Sequence, residues 1–181
     1  MNFWKGEKIT IRAMESDDYD LLFEIIQDSR IQKYESDIRI PLSLEACKDW
    51  ASTESLKGNN NNAPFLIIED NEKNKVGMIN PDITDERVGI FTCGMNIKPE
   101  YQRKGYAYEA VSLIMKFYFE QKRCVKFEAG VYDYNTASNK LCEKLGLSNE
   151  GRRKKSVFAD GKFYDTILYG LTDDEYYIRN K

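Results

Sequence analysis

The sequence predicts an α/β (α+β) fold built on a mixed, mostly antiparallel sheet of about six to seven strands, with helices on both faces. Two observations support this prediction. Segments in which apolar and polar residues alternate are interleaved with segments whose apolar residues recur at helical spacing. Three consecutive strand segments with short connections precede a strand–helix–strand unit, so antiparallel pairs should lead into one parallel pair. The predicted order is β-α-α-β-β-β-α-β-α-β-β.

The first half of the chain predicts a strand, two helices and three more strands. Alternating apolar residues place the first strand at 8–13, and a helix opens at Ser16. Ser43 is the expected N-cap of a second helix at 44–57, which a polar loop, Gly58 to Asn62, follows. Three strands are then predicted at 64–69, 75–80 and 88–97.

The second half predicts two helices and three strands. A helix begins at Tyr106 with a regular apolar stripe of 3.6-residue period, and a strand follows at 125–131. The next helix spans 135–145 and is closed by Gly146. The last two strands, at 152–158 and 163–171, flank an Asp-Gly turn that predicts a hairpin.

Composition excludes several classes of protein and site. The 181 residues suggest one domain, and a net charge of −3 gives no reason to expect a nucleic-acid partner. The absence of histidine excludes Ser-His-Asp and Cys-His catalysis and any zinc site that uses histidine. No apolar run approaches ~18 residues, so we expect no membrane segment, and the N-terminus has no signal-peptide core.

The four cysteines are too far apart in sequence for a C-x-x-C metal or redox motif. We expect buried free thiols, no metal, and a reducing, cytoplasmic compartment. The cysteines are Cys47, Cys93, Cys124 and Cys142.

The segment from Gln102 to Ala107 carries the strongest functional signal. It joins a strand to an amphipathic helix, whose first N–H groups are unpaired and lie at the positive end of the helix dipole. Gly105 permits a positive φ or close approach to a ligand, while Arg103 and Lys104 add positive charge. These features predict a cradle for a pyrophosphate, and the alternative is a plain connection. Neither the Walker pattern nor the dinucleotide G-x-G-x-x-G pattern is present.

Gln102-x-x-Gly105-x-Ala107 resembles the [Q/R]-x-x-G-x-[G/A] acetyl-CoA loop of the GNAT acetyltransferases. The segment Asn135-Thr136-Ala137-Ser138, with Lys144-Leu145-Gly146-Leu147, is similar to the N-x-x-S…K-x-G-F segment of the branch that acetylates ribosomal-protein N-termini (Rim-type). The resemblance extends over about residues 7–175 and implies a single GNAT-like domain spanning 1–181. Further similar segments are Ile11-Arg12, the lead-in from Met95 to Tyr101, Glu150-Gly151-Arg152, and Asp160 to Asp165.

This resemblance implies roles for matching residues. The backbone of Met95, Asn96 and Ile97 would hydrogen-bond the pantetheine arm, which would lie along the strand like an added one. Asn135 would reach the pantetheine, and the Ser138 hydroxyl would protonate the leaving thiolate. The pyrophosphate would be held by backbone N–H groups of Gln102, Arg103, Lys104, Gly105, Tyr106 and Ala107.

Two positions depart from the family pattern. Cys142 stands where many GNAT enzymes have a general-acid tyrosine, and it could donate a proton or simply pack in its helix. Thr92 stands where Rim-type enzymes often have a glutamate base, and it cannot act as a base. A water relayed to Glu69, Glu100 or Glu35 is the remaining route for the proton.

The sequence therefore predicts an acetyl-CoA-dependent N-acetyltransferase, in which a primary amine attacks the thioester directly within a ternary complex. Residues 1–100 carry a net charge of −7 and residues 101–181 one of +4. Asp28, Glu35 and Asp37 lie in the acidic half and would favour a cationic amine, unless they only form an acidic helical surface.

Other readings remain open at this point. A non-catalytic acyl-CoA-binding sensor with the same fold would account for Thr92 and Cys142, and a nucleotide-binding regulatory module would also use the cradle. The acceptor could be a peptide N-terminus, an amino acid, a polyamine or an aminoglycoside. A homodimer is compatible with the sequence, and the basic run Arg152 to Lys155 is expected to be a solvated strand face.

Overall fold

The computed structural model describes residues 2–35, 38–57 and 63–180. The predicted polar loop at 58–62 and Asp37 lie outside these residues. Contacts within the chain form two compact units. The first comprises Met1–Asp82 and Cys93–Leu113, and the second Ile83–Thr92 and Ile114–Lys181. The single GNAT-like domain over 1–181 stays a prediction.

Seven strands and six helices occur in the described residues. The strands are β1 (Ile9–Ala13), β2 (Leu66–Asp70), β3 (Lys75–Asp85), β4 (Ile90–Ile97), β5 (Lys126–Tyr132), β6 (Ser148–Ala159) and β7 (Lys162–Thr172). The helices are α1 (Tyr19–Gln27), α2 (Ser29–Gln32), α3 (Leu44–Ser55), α4 (Tyr106–Gln121), α5 (Thr136–Leu145) and α6 (Asp173–Arg179). Single 3-10 turns lie at Ser16–Asp18 and Pro99–Tyr101.

The strands form a mixed sheet in the order β1-β2-β3-β4-β5-β7-β6. Strand β4 pairs with β5 in parallel, at Ile90–Lys126 and Phe91–Phe127. Strands β1 and β2, β2 and β3, β5 and β7, and β6 and β7 pair antiparallel. The predicted mixed, mostly antiparallel sheet is confirmed, and it has seven strands, the larger of the two expected numbers.

Each unit has its own apolar core. In the first unit, α1, α3, β2 and β3 contribute fully or nearly fully buried side chains, among them Leu21, Ile25, Ala51, Ile67 and Met78. In the second unit, the ring of Phe91 lies 4.8 Å from that of Tyr118 and 5.0 Å from that of Phe127, measured between centroids. The aromatic core fixes the start of β4 against β5, just before β4 continues into the first unit.

Two short helices were absent from the prediction. The Asp28 carboxylate accepts the backbone N–H of Arg30 and so caps α2. Helix α6 begins with a capping box, in which Thr172 and Glu175 satisfy each other's backbone N–H groups. The T-x-x-E spacing that marks such a box is visible in the sequence and could have revealed α6.

Strand β3 is longer than predicted. The strand was predicted to end at residue 80, but it continues through the buried Pro81, and the chain turns only after Asp85. The turn is closed by Asp85, whose carbonyl accepts the N–H of Gly89 and whose carboxylate accepts that of Val88. Gly89 has a φ of +85°, which favours glycine at this position.

Candidate active site

The loop after β4 has the backbone geometry of an anion cradle. Following the turn at Pro99–Tyr101, Arg103 has a φ of +61° and Gly105 one of +90°, and α4 starts at the next residue. Left-handed residues that alternate with right-handed ones turn successive N–H groups towards one point. The loop is also tied to the end of β4, because the Gln102 side-chain amide donates to the carbonyl of Ile97 over 3.1 Å.

Gly105 leaves space for close approach of a ligand. A Cβ atom built on it would lie 3.2 Å from the Lys8 ammonium nitrogen and near no other atom. The space in front of this residue is therefore open, although its backbone conformation is strained for any residue with a side chain.

Charged and aromatic side chains surround the loop within the first unit. The Lys104 ammonium lies 4.8 Å from the centre of the Tyr101 ring. A cavity of about 450 Å³ opens beside them, lined by Lys8, Tyr101, Lys104, Tyr106 and residues of the β2–β3 turn, among them Asp70 and Glu72. Burial, and the negative charge of Asp70 and Glu72, raise the pKa of Tyr106, so its phenol stays protonated at neutral pH.

Strand β4 pairs with β5 at Ile90 and Phe91, near its beginning. Its later residues Met95–Ile97 belong to the first unit, where β3 lies beside them. The N–H of Lys98 donates to the carbonyl of Val76, so pairing with β3 continues to the end of the strand. A Cβ atom at Gly94 would meet nothing within 4 Å. The predicted pantetheine-binding residues Met95, Asn96 and Ile97 thus lie further along β4 than the residues that pair with β5.

In the second unit, Asn135 and Ser138 are directly connected. Asn135 is the N-cap of α5, and its side-chain oxygen accepts the backbone N–H of Ser138 over 3.1 Å. Capping occupies that oxygen and leaves the amide nitrogen of Asn135 to donate elsewhere. Ser138 lies in the first turn of α5 and is half-buried. Its hydroxyl takes no part in the cap, which uses the backbone N–H alone.

Asn139 holds the start of α5 in place, and the sequence analysis missed it. Its side-chain amide donates to the carbonyls of Tyr132 and Asn135, and its oxygen accepts the hydroxyl of Tyr169 over 3.0 Å. These bonds join β5, the cap of α5 and β7. The only signal in the sequence was an asparagine directly after the N-x-x-S pattern, and sequence alone could not distinguish it from an ordinary surface asparagine.

Cys142 is buried with 6% of its surface exposed. Burial, reinforced by the negative charge of Glu143, raises the pKa of its thiol to about 12. The thiol therefore stays protonated at neutral pH, and its surroundings favour the packing role that was one of the two readings of this residue.

Two of the three carboxylates considered as bases, Glu69 and Glu100, are held by cations. Burial would raise the pKa of Glu69, but hydrogen bonds and charge from Arg12 and Lys73 outweigh it and lower the pKa below the usual value. The pKa of Glu100 is also lowered, first by a backbone hydrogen bond and then by Lys98. A lowered pKa weakens a carboxylate as a base. Thr92 lies on β4 and carries no basic group, as expected.

Asp28, one of the acidic residues predicted to attract a cationic amine, already binds a neighbouring residue. Its carboxylate caps α2 and forms a two-oxygen ion pair with Arg30, which lowers its pKa. Glu35, another of these acidic residues, is half-buried.

Comparison with known proteins identifies the family. The family described as "Acetyltransferase (GNAT) domain" matches residues 8–148. The SPbeta prophage-derived uncharacterized N-acetyltransferase YokL of Bacillus subtilis is 30% identical over 176 residues, which cover 97% of this chain and 96% of that protein. The chain belongs to the GNAT acetyltransferase family. It is an acyltransferase, as predicted from the loop and the segments around it.

Other GNAT proteins extend the similarity. The [ribosomal protein uS5]-alanine N-acetyltransferase of Escherichia coli is 24% identical over 113 residues, covering 62% of this chain and 58% of that protein. This match confirms the resemblance to the Rim-type branch. The crystal structure of spermidine N-acetyltransferase from Vibrio cholerae, in complex with CoA and spermine, has the same fold, with a TM-score of 0.82 and 20% identity over 95% of this chain and 99% of that one.

In the described part of this GNAT chain, no helix is both long enough and apolar enough to cross a membrane. Within the same residues, no group of three or more histidine, cysteine, aspartate or glutamate side chains is arranged to hold a metal ion.

Proposed function

We propose that this protein transfers the acetyl group of acetyl-CoA to the α-amine of a peptide or amino acid. The observation that carries the proposal is the loop at 102–107, with left-handed Arg103 and Gly105 directly before α4. Such a loop suits a pyrophosphate, because its N–H groups and the helix dipole both favour negative charge. Because the chain belongs to the GNAT acetyltransferase family, acetyl-CoA is the pyrophosphate compound that we expect this loop to bind.

The residues around the loop suit the rest of acetyl-CoA. Met95–Ile97 lie further along β4 than the residues that pair with β5, and their backbone N–H and C=O groups would bind the amides of the pantetheine arm. The family resemblance also assigns Asn135 to the pantetheine arm, and its amide nitrogen is the donor left over from capping. The bound molecule would supply an acetyl group activated as a thioester.

In the proposed reaction, the neutral amine attacks the thioester carbonyl, a C–N bond forms and the C–S bond breaks. Backbone N–H groups near Met95 stabilise the developing oxyanion. The Ser138 hydroxyl donates a proton to the departing sulfur and regains one from solvent, and solvent takes up the proton that the amine nitrogen loses as the amide forms. We assign this step to Ser138 rather than to Cys142, since Ser138 is half-buried whereas the Cys142 thiol is almost wholly enclosed.

An α-amine is favoured as the acceptor because the carboxylates described above are weak bases for removing a proton from an amine. A free α-amine has a pKa of about 7.7–8.0, against about 10.4 for a lysine-type amine, so far more of it is neutral near pH 7. Glu69 and Glu100 both have lowered pKa values, and the chain has no histidine. The uS5-alanine relative acts on an α-amine and the spermidine relative on a polyamine, so both classes are reasonable tests.

The test is kcat/KM against pH, measured by release of free thiol from acetyl-CoA with a peptide α-amine and with an aliphatic diamine. For the peptide we expect the rate to rise with pH and level off near about 8, the pKa of its own amine. For the diamine we expect a continued rise towards about pH 10 and a lower value at neutral pH.

A plateau already reached by about pH 6.5 with the diamine would contradict the proposal, since it requires a strong base on the protein. Tight binding of acetyl-CoA without turnover of any amine would instead favour a sensor of acyl-CoA.

The four free cysteines suit the reducing cytoplasm as the compartment in which the protein acts. Assembly into a homodimer stays a prediction.

A further inference from the structure

Lys8 reaches the loop at 102–107 from a distant part of the sequence. Its ammonium donates to the backbone carbonyl of Lys104 over 3.2 Å and lies 3.2 Å from the position of a Cβ on Gly105. No motif in the loop itself indicates this contact, because Lys8 directly precedes β1, almost a hundred residues earlier.

This contact fixes the direction of one peptide group. The carbonyl of Lys104 and the N–H of Gly105 belong to the same planar trans peptide, so they point in opposite directions. Holding the carbonyl on the side of Lys8 therefore turns the Gly105 N–H to the other side. Glycine tolerates positive and negative φ almost equally, so Gly105 alone does not prevent this peptide from flipping.

The segment that carries Lys8 is itself fixed to the start of α4. The backbone N–H of Lys8 donates to both carboxylate oxygens of Glu109, over 3.0 Å and 3.2 Å. Glu109 lies in the first turn of α4, where the helix dipole favours its negative charge. Gly6 packs so closely on this carboxylate that any side chain there would collide with it. Lys8 thus has an anchored backbone, and its ammonium is held near the loop.

We propose that Lys8 is a positioning residue that holds the Lys104–Gly105 peptide with its N–H turned towards the cofactor phosphates. The inference rests on the proposed function, because it assumes that the loop holds the pyrophosphate of acetyl-CoA. Lys8 acts through the peptide and not as a ligand of the reacting atoms, so its loss should weaken phosphate binding and leave the acetyl-transfer step unaffected.

The experiment compares the wild type with Lys8→Met, Lys8→Arg and Lys5→Met. Lys8→Met keeps an unbranched side chain of similar length but removes the donor. It should raise the Kd for CoA and the KM for acetyl-CoA about five- to tenfold, the scale of one charge-assisted hydrogen bond near the surface, and leave kcat unchanged. Lys8→Arg should restore wild-type values within about twofold, since it retains a donor of similar reach. Lys5→Met removes an exposed lysine of the same segment and should behave as the wild type.

Two further measurements separate positioning from other effects. With S-acetylpantetheine, which has no pyrophosphate, Lys8→Met should give the wild-type kcat/KM. At 1 M salt, where the screening length is about 3 Å, the loss of CoA affinity should persist, because a direct hydrogen bond survives screening that removes a distant charge effect.

The inference is overturned if Lys8→Met binds CoA like the wild type, if its loss of affinity disappears at 1 M salt, or if S-acetylpantetheine is affected equally. In each of these cases the wild type still binds CoA, so the proposed function stands. A wild-type protein that binds no CoA removes the proposed function and this inference together.

Discussion

A single hydrogen bond shows, at the scale of residues, that Asn135 has a structural role, because its side chain accepts the backbone N–H of Ser138. An N-cap side chain reaches the N–H two or three residues ahead, and here the bond spans that distance with a length of 3.1 Å. The sequence pattern indicated Asn135 as a cofactor-binding residue and did not reveal that its oxygen is needed for the helix. Resemblance reports which residues recur, but it does not distinguish a local structural bond from a contact with ligand.

The role of Ser138 can be tested without disturbing this cap. Ser138→Ala removes the hydroxyl but retains the backbone N–H that Asn135 binds, so α5 should form as before. We expect kcat to fall about 10²-fold, the scale of a lost general acid, with little change in the affinity for CoA. Steady-state kinetics and calorimetric titration with CoA measure the two effects separately.

The matched control is Ser112→Ala, which removes an exposed hydroxyl that bonds only the Tyr108 carbonyl of its own helix. This variant should retain full activity. A silent Ser138→Ala together with an inactive Cys142→Ala would reverse the roles of the two residues. If both variants are silent, solvent supplies the proton.

At the scale of elements, Arg12 joins β1 to the turn before α1 and to β2. Its guanidinium forms a bidentate pair with Asp18, at 2.7 Å and 2.9 Å, and a third bond of 2.6 Å with Glu69. Asp18 is 3% exposed, and Lys75 approaches it to 3.5 Å. Burial would raise the pKa of Asp18, but hydrogen bonds from Arg12 and from the backbone of Glu15 outweigh it and lower the pKa.

These pairs should make the free energy of unfolding depend on pH. The pKa values of Asp18 and Glu69 are lower in the folded chain than in the unfolded one, where they are about 3.9 and 4.3. The stabilisation is therefore present above about pH 4 and is lost as the pH falls below it. Arg12→Met should lower the free energy of unfolding at pH 7 by roughly 2–4 kcal/mol, because it removes the bidentate partner of the buried Asp18 carboxylate.

Urea unfolding at pH 7 and at about pH 3 checks this prediction. The difference between Arg12→Met and the wild type should shrink at the lower pH, where both carboxylates are largely protonated in the unfolded chain. Arg87→Met, which removes an exposed arginine, should change stability by less than about 0.5 kcal/mol. An equal loss of stability at both pH values would show that Arg12 acts by packing and not through its charge.

The elements that the sequence predicted best are those with regular periodicity. Helix α4 begins at Tyr106, where its apolar stripe predicted it, and Ser43 caps α3 through the N–H of Ala46. Asp160 and Gly161, with φ of +49° and +79°, form the predicted hairpin turn. The short α2 and α6 were missed because one or two turns of helix give no measurable period, and their capping side chains were the only evidence.

At the scale of the whole molecule, the sequence located the candidate cofactor loop but not what supports it. The loop motif is continuous, so its six residues could be read directly from the chain. Its support comes from Lys8 and Glu109, which contact each other across about a hundred residues of sequence. Only folding brings such residues together, and no periodicity or local propensity records their contact.

The unequal distribution of charge also needed the structure for its interpretation. Residues 1–100 carry a net charge of −7, which suggested attraction for a cationic acceptor. That sum does not show which carboxylates are available to an acceptor, and several already form ion pairs: Asp28 with Arg30, Asp18 and Glu69 with Arg12, and Glu24 with Lys98. Net charge alone is therefore weak support for a polyamine acceptor, which agrees with the α-amine proposed here.

The most direct test of the central claim, that the loop at 102–107 holds the phosphates of acetyl-CoA, is calorimetric titration of CoA into Gly105→Val and Gly161→Val. Both glycines have a positive φ, so each substitution should lower stability by about 1–2 kcal/mol through backbone strain. Gly161 lies in the β6–β7 turn with nothing near its missing side chain, so Gly161→Val should bind CoA with wild-type affinity. The account predicts that Gly105→Val loses at least about tenfold in affinity while remaining folded. Equal CoA affinity in Gly105→Val and the wild type would contradict it.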